Sequence, residues 1–388
     1  MKRVANETPT KLLNWNNDGE STPTKKSAVI PPCVTRSSPT KSIKKRSPLI
    51  PKVNTFVFFD LETTDKITDT PLTSGWESVM VKGPDKFTDT LDKLCLQTTA
   101  DQLPRITEMS FVAIPRDSFL EYQEAFKNDE KNGATKLGRY IPTNTHTRQI
   151  NPNLTSAEWI QYETRRQRAP IVHKQKSITC KNQFDREWPA VIDFLNSLEK
   201  PVAIVAHNGI KFDFRVIYGE MARYKLLENH PIPKEILFVD SIAMIKQVEL
   251  KYGEDMQLHC KDIDWMKIAE LEAKSNSIED EAFFAEESKH VVSDIHPYDF
   301  LNIKNWSIAK KKRISKSFFK KINNSWVYSM NDAKYQKLGL GYLFEQLVGG
   351  QFVAHYAQQD CEALMQVCIT YAEDFCNFVD QNAAEFPF

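Results

Sequence analysis

Asp60 and Glu62 stand two residues apart at the end of the apolar run Thr55-Phe56-Val57-Phe58-Phe59. Such a run reads as a buried strand. Side chains alternate along a strand, so both carboxylates leave by one face. Acids at that place are costly unless they are paired or hold metal. Hard oxygen ligands of this kind suit Mg²⁺ or Mn²⁺. The plainer alternative is a strand that ends in solvated acids, since Asp-x-Glu also arises by chance.

Two further segments bear on that choice. Residues 201–206 form a second apolar run, followed by the polar turn His207-Asn208-Gly209-Ile210-Lys211-Phe212 and then Asp213. This reads as a strand, a turn and a helix that starts near Asp213. Near the C-terminus, His355 precedes Asp360 by five residues. Apolar residues then recur at 361, 364, 368, 371, 372, 375 and 379, which is helical spacing. Asp360 suits the N-cap or first turn of that helix.

Phosphodiester hydrolysis is a chemistry these residues could perform. Two divalent ions about 3.5–4 Å apart can clamp the attacking and leaving oxygens. Asp60, Glu62, Asp213 and Asp360 supply four carboxylates to hold them. A neutral imidazole can accept a proton at physiological pH, a role open to His355; the alternative is a loop histidine without a partner. Asn208 can both donate and accept, and so could position a nucleic-acid strand, or it could be a left-handed turn residue beside Gly209. Lys211 could meet a phosphate or be a solvated turn lysine. Tyr356 and Phe212 could stack on a base or pack in the core. Leu61, between the two strand acids, is a further candidate contact to substrate. His207 reads as structural.

The ordered set Asp60-x-Glu62, His207-Asn208-x-x-x-Phe212-Asp213 and His355-x-x-x-x-Asp360 resembles the DEDDh branch of the DnaQ-like 3′→5′ exonucleases. Leu103-Pro104-Arg105-Ile106-Thr107-Glu108, Phe238-Val239-Asp240-Ser241 and Leu338-Gly339-Leu340-Gly341-Tyr342-Leu343-Phe344 resemble, more narrowly, the three-prime repair exonuclease (TREX) family. The resemblance covers about 51–250 and 335–380, with gaps. It implies an α/β, RNase H-like fold with a mixed central sheet flanked by helices. It also implies two Mg²⁺ ions per site, which Mn²⁺ could replace. Asp60 would bridge both ions, Glu62 and Asp360 would complete the water-activating side, and Asp213 would support the second ion. His355 would be the general base. The implied activity is 3′→5′ hydrolysis of DNA from free 3′ ends, single-stranded or frayed, with release of nucleoside 5′-monophosphates. An RNA-trimming enzyme of the same branch and an inactive nucleic-acid-binding relative are the alternatives. A homodimer joined through sheet edges is a further implication.

The elements that must position these groups follow from the patterns. Strands are expected at 53–60, 106–114, 201–206 and 236–240, with another near 146–150. Helices are expected at 184–198 and 360–379. The resemblance further implies that residues 144–170 cover the terminal nucleotide, with Ile160-Gln161-Tyr162 or Ala169-Pro170-Ile171 in the place of the family's Gly-Leu element, which is not evident.

At 388 residues the chain can bury a sizeable core. Its net charge is zero but unevenly spread. Residues 1–50 hold ten Lys/Arg and three Asp/Glu, and are rich in Ser, Thr and Pro, so a disordered tail is expected. Lys41 and Lys44-Lys45-Arg46 resemble a nuclear import signal or a solvated basic tail, so nucleus or cytoplasm is expected. No apolar run approaches the roughly 18–20 residues that span a bilayer, and no signal peptide is evident. Seven scattered cysteines without a Cys-x-x-Cys pair suggest reduced thiols.

Residues 51–388 read as one exonuclease domain, interrupted by a charged insertion at about 250–334. A second stretch without a family counterpart is 65–102. Within the larger insertion, Glu270–Glu287 holds seven acids and one lysine, and Lys304–Lys321 holds eight Lys/Arg and no acid. The basic run could grip a nucleic-acid backbone beside the site, or the two runs could simply pair with each other.

Overall fold

A computed structural model describes residues 52–67, 83–131, 141–168, 171, 173–261, 306–322, 325–328, 337–350 and 353–388. The chain divides into two units, Met1–Leu49 and Ile50–Phe388, and the described residues all belong to the second. The expected basic tail and the acidic run Glu270–Glu287 lie outside the described residues.

The apolar runs become strands of one mixed sheet. In chain order these are β1 (Thr55–Thr63), β2 (Ile106–Pro115), β3 (Asn144–Gln149), β4 (Val202–Ala206) and β5 (Ile236–Asp240). A separate hairpin, β6 (Phe319–Ile322) and β7 (Ser325–Tyr328), comes later, and β8 (Ala384–Glu385) adds a short edge to the main sheet. The sheet order is β3-β2-β1-β4-β5-β8. β1, β2 and β3 form an antiparallel meander, whereas β4 and β5 run parallel to β1. Helices flank the sheet. This is an α/β fold consistent with RNase H-like topology, as the resemblance implies.

β1 is central and covered on both sides, which is why it reads as a continuous apolar run rather than an alternating one. Phe56 meets Phe119 of helix Arg116–Lys131 at 5.1 Å and Phe375 of helix Glu373–Asn382 at 5.0 Å, in edge-on pairs. Phe58 stacks against the same two rings. Helix Ala357–Tyr371 packs on β1 and β2. The period of two then sends Asp60 and Glu62 out beyond Phe58 on the face where this helix begins.

The expected C-terminal helix over 360–379 is two helices. Ala372 breaks it at φ 62, ψ −129. The bend lets Phe375 return to β1, a tertiary demand that leaves no Gly or Pro in the sequence to announce it. Helices Pro84–Leu96, Arg116–Lys131, Ser156–Arg166 and Ser241–Lys261 supplement those read from the sequence.

The basic run of the insertion is partly resolved as helix Ile308–Phe318. Three of its cations are engaged in packing. Arg313 is 3% exposed and contacts Glu249 through Nε at 2.5 Å and through a second nitrogen at 3.0 Å. Tyr371 donates to the same Glu249 at 2.8 Å. Lys310 pairs with Asp255 at 3.0 Å and lies over the rings of Tyr252 and Trp306. Lys312 donates to the Leu347 carbonyl at 3.0 Å. These three side chains fasten the inserted helix to the fold, which removes them from any basic grip. Among the described residues no helix is long and apolar enough to cross a membrane. Cys95, Cys180, Cys361, Cys368 and Cys376 are free thiols.

Candidate active site

Pairing of β1 with β4 ends at Phe59↔Ala206, while pairing of β1 with β2 runs on to Thr63↔Ile106. The acids of β1 therefore emerge where its parallel neighbour has stopped. This is the carboxyl end of the parallel strands, at the point where strand direction changes, which is where ligands bind in open α/β sheets.

Asp60, Glu62 and Asp360 each offer a carboxylate oxygen within 4.8 Å of the others. Asp213, 3% exposed, opens helix Asp213–Arg223 beside this trio. Its carboxylate accepts the Leu61 backbone N–H, so the strand that carries two of the acids also holds a third. Leu61 reaches the site through that N–H; its side chain is 5% exposed and lies in the core.

The turn between β4 and Asp213 is fixed from below. Asp240, at the end of β5, accepts the backbone N–H of Ile210 at 3.0 Å and that of Ile242 at 2.8 Å. Burial raises the Asp240 pKa to about 6, against the pull of these bonds. Asn208 sits at φ 65 and its carbonyl accepts the amides of Lys211 and Phe212, so it shapes the turn as a left-handed residue. Gly209 leaves no room for a side chain: an added Cβ would lie 2.7 Å from Ala206 Cβ and 2.7 Å from the Phe214 ring. Gly209→Ala is therefore expected to destabilise the protein by about 1–3 kcal/mol and to displace Asp213. Thermal unfolding together with divalent-ion affinity checks this. Lys211 is half-buried in the same turn. His207 is structural, as expected. One ring nitrogen lies 2.8 Å from Ser241 Oγ and the other 2.8 Å from the Leu338 carbonyl. Burial lowers its pKa to about 4, so it is neutral at physiological pH.

Asp360 lies in the first turn of helix Ala357–Tyr371. Its carboxylate reaches back to accept the His355 backbone N–H at 2.8 Å, and the Tyr356 N–H as well. His355 is exposed and adopts φ 72, a left-handed conformation uncommon for a residue with a side chain. Asp360 thus ties the backbone of the histidine to the acid cluster. Tyr356 is 39% exposed, which leaves its ring accessible beside the site.

The electrostatics are those of a site with excess negative charge. Burial raises the Asp60 pKa well above the usual carboxylate range, and the charges of Asp213, Asp360, Glu62 and Glu108 add to it. Burial and then the charges of Asp360, Glu108 and Asp213 push Glu62 up to about 8. Burial likewise raises Asp213 and Asp360. Clustered acids resist ionising together, and a bound cation reverses that preference.

No protein-family model and no curated protein matches the chain. What argues for a metal centre is the donor set itself: oxygen-only ligands, closely spaced, in an environment that penalises their charge unless cations share it. Asp60, Glu62 and Asp360 could together offer oxygen ligands to a metal ion.

Two residues of this neighbourhood were not among the sequence candidates. Glu108 faces Glu62 across the β1–β2 pairing and is 6% exposed. A charge in the middle of the apolar strand Ile106–Ile114 is a legible signal. His173 is 5% exposed, and its Nε2 lies 3.3 Å from Glu108 Oε2. Its segment shows no pattern that would have selected it. Of the segments considered for covering the terminal nucleotide, Tyr162 is 1% exposed and donates to the His173 carbonyl, whereas Ile160 is 70% exposed. Ala169 and Pro170 lie outside the described residues.

Proposed function

We propose that this chain is a metal-dependent 3′→5′ exonuclease of the three-prime repair (TREX) type. It acts on DNA from free 3′ ends, single-stranded or frayed, and releases nucleoside 5′-monophosphates. The single observation that carries the reading is the convergence of three distant motifs: Asp60, Glu62 and Asp360 share one small volume, Asp213 abuts it, and His355 is tied to Asp360.

Asp60, Glu62, Asp213 and Asp360 would hold two Mg²⁺ ions, with Mn²⁺ as a substitute. Divalent cations held there would supply charge stabilisation to the oxygens of the scissile phosphate and acidify water. The protein's own part is as follows. The four acids fix where positive charge sits. His355, exposed at the mouth of the cluster, accepts the proton of the attacking water. Asn208 and Lys211 line the turn where the nucleic-acid backbone would pass, and Tyr356 offers a ring to a base. A homodimer joined through β3, which is an edge strand of the sheet, and residence in the nucleus or cytoplasm belong to the same proposal.

The test uses purified full-length protein with 3′- and 5′-labelled single-stranded DNA and RNA, in Mg²⁺ or EDTA. The expected result is early release of the 3′ label, only with metal, and faster on DNA. Faster hydrolysis of RNA would shift the substrate to the 2′-hydroxylated chain. Tight DNA binding without hydrolysis would point to an inactive nucleic-acid-binding relative, and label release in EDTA would overturn the metal-dependent mechanism.

A further inference from the structure

Four acids suffice to hold the cations, yet the cluster contains five. We infer that Glu108 is a positioning residue: it anchors the first turn of the helix that carries Asp360, and His173 holds it away from the cations. The inference deepens the exonuclease reading and rests on it.

The geometry is specific. Glu108 Oε2 accepts the backbone N–H of Ala357 at 3.0 Å. Ala357 is the first residue of helix Ala357–Tyr371, so this amide is one of those a helix cannot satisfy internally. A carboxylate there also meets the positive end of the helix. Asp360 is three residues further along the same turn. Glu108 thereby fixes the relation between Asp360 and β1, because β2, which carries Glu108, is paired with β1 opposite Glu62.

His173 approaches the same carboxylate oxygen. Its Nε2 is buried, has no hydrogen-bond partner, and lies 3.3 Å from the oxygen that Ala357 uses. Its Nδ1 lies 3.4 Å from Gln149 Nε2. Gln149 stands opposite Glu108 in the β2–β3 pairing. Tyr162 donates to the His173 carbonyl, and the Tyr356 ring meets the imidazole edge-on at 6.3 Å. Glu62, Glu108 and Gln149 form one row across three strands, and His173 caps its end. An oxygen engaged by an amide and faced by an imidazole is poorly placed to serve as a cation ligand.

Glu108→Gln and Glu108→Ala separate the two roles. A glutamine oxygen can still accept the Ala357 N–H, whereas alanine leaves that buried amide unpaired. Expected for Glu108→Gln is a kcat within about threefold of the parent and unchanged Mn²⁺ stoichiometry by calorimetry, because the anchoring bond survives. Expected for Glu108→Ala is a kcat lower by about tenfold to a hundredfold with KM for DNA unchanged, the kinetic trace of a misplaced group. The Ala357 amide, followed by NMR hydrogen exchange, should stay protected in Glu108→Gln and lose protection in Glu108→Ala.

If Glu108→Gln loses as much rate and Mn²⁺ affinity as Asp360→Asn, Glu108 is a ligand and the inference is overturned. That variant keeps the shape of the site, so this comparison holds whether or not Glu108→Ala folds. An Ala357 amide that exchanges alike in all three proteins overturns it equally, whatever the protein hydrolyses. Parent protein that takes up no Mn²⁺ sinks the exonuclease reading instead, while the amide signal still judges the anchor.

Discussion

Asp60→Asn is expected to cost about four orders of magnitude in metal-dependent hydrolysis while making the metal-free protein more stable. The two effects share one cause. After burial itself, four neighbouring acids oppose the ionisation of Asp60. Replacing its charge removes a ligand and relieves the repulsion in one step. The relief should appear at neutral pH as a higher Tm in EDTA.

The sign of the pH dependence follows from Glu62, raised from its ordinary 4.5 to about 8. The folded site holds this proton more tightly than the unfolded chain does. Its contribution to metal-free stability is therefore fully present below about pH 4.5 and lost as pH rises through about 8. Burial raises Asp60, Asp213 and Asp360 in the same direction. Thermal unfolding in EDTA across that window should show parent stability falling more steeply than that of Asp60→Asn. Mg²⁺ or Mn²⁺ should restore the parent at high pH by binding the folded state alone, and should do little for the variant. An Asp60→Asn protein less stable than the parent in EDTA would contradict this electrostatic origin.

His355→Ala should lower kcat by about 10²–10⁴-fold, the usual range for a lost general base, and leave Mn²⁺ affinity nearly intact. The bond that links His355 to Asp360 comes from the backbone, so any residue but proline retains it. A glycine variant sharpens the test. With φ 72 at this position, His355→Gly removes the imidazole and suits the left-handed backbone better. It should be as inactive as the alanine variant without loss of Tm, and added imidazole should recover part of the rate in both. Loss of Mn²⁺ binding in either variant would mean that the histidine organises the cluster rather than moving a proton.

The sequence made the centre of the sheet legible because β1, β2, β4 and β5 are buried on both faces, and burial writes itself as predominantly apolar runs. The three motifs were legible because their spacing reflects local geometry: two positions along a strand, a turn into a helix, a loop into a first turn. Their meeting in space depends on pairings between distant segments, which no local pattern encodes. The break at Ala372 was hidden because it obeys the packing of Phe375 rather than a turn residue. His173 was hidden for a similar reason: its partner Glu108 lies 65 residues earlier on another element. The basic run left open a nucleic-acid grip or pairing with the acidic run, and charge alone could not reveal that Lys310, Lys312 and Arg313 turn toward the fold.

Glu249 accepts from both Arg313 and Tyr371, and Tyr371 ends the helix that begins beside Asp360. The added segment is in this sense a rivet through the far end of the helix that carries Asp360. Excising 250–334 outright would remove the guanidinium that pairs with Glu249 and leave that carboxylate to the Tyr371 hydroxyl, so the damage would surface in the helix that carries Asp360. Trimming confined to 262–305 leaves the rivet in place, and only that narrower cut can ask what the intervening stretch contributes to nucleic-acid handling.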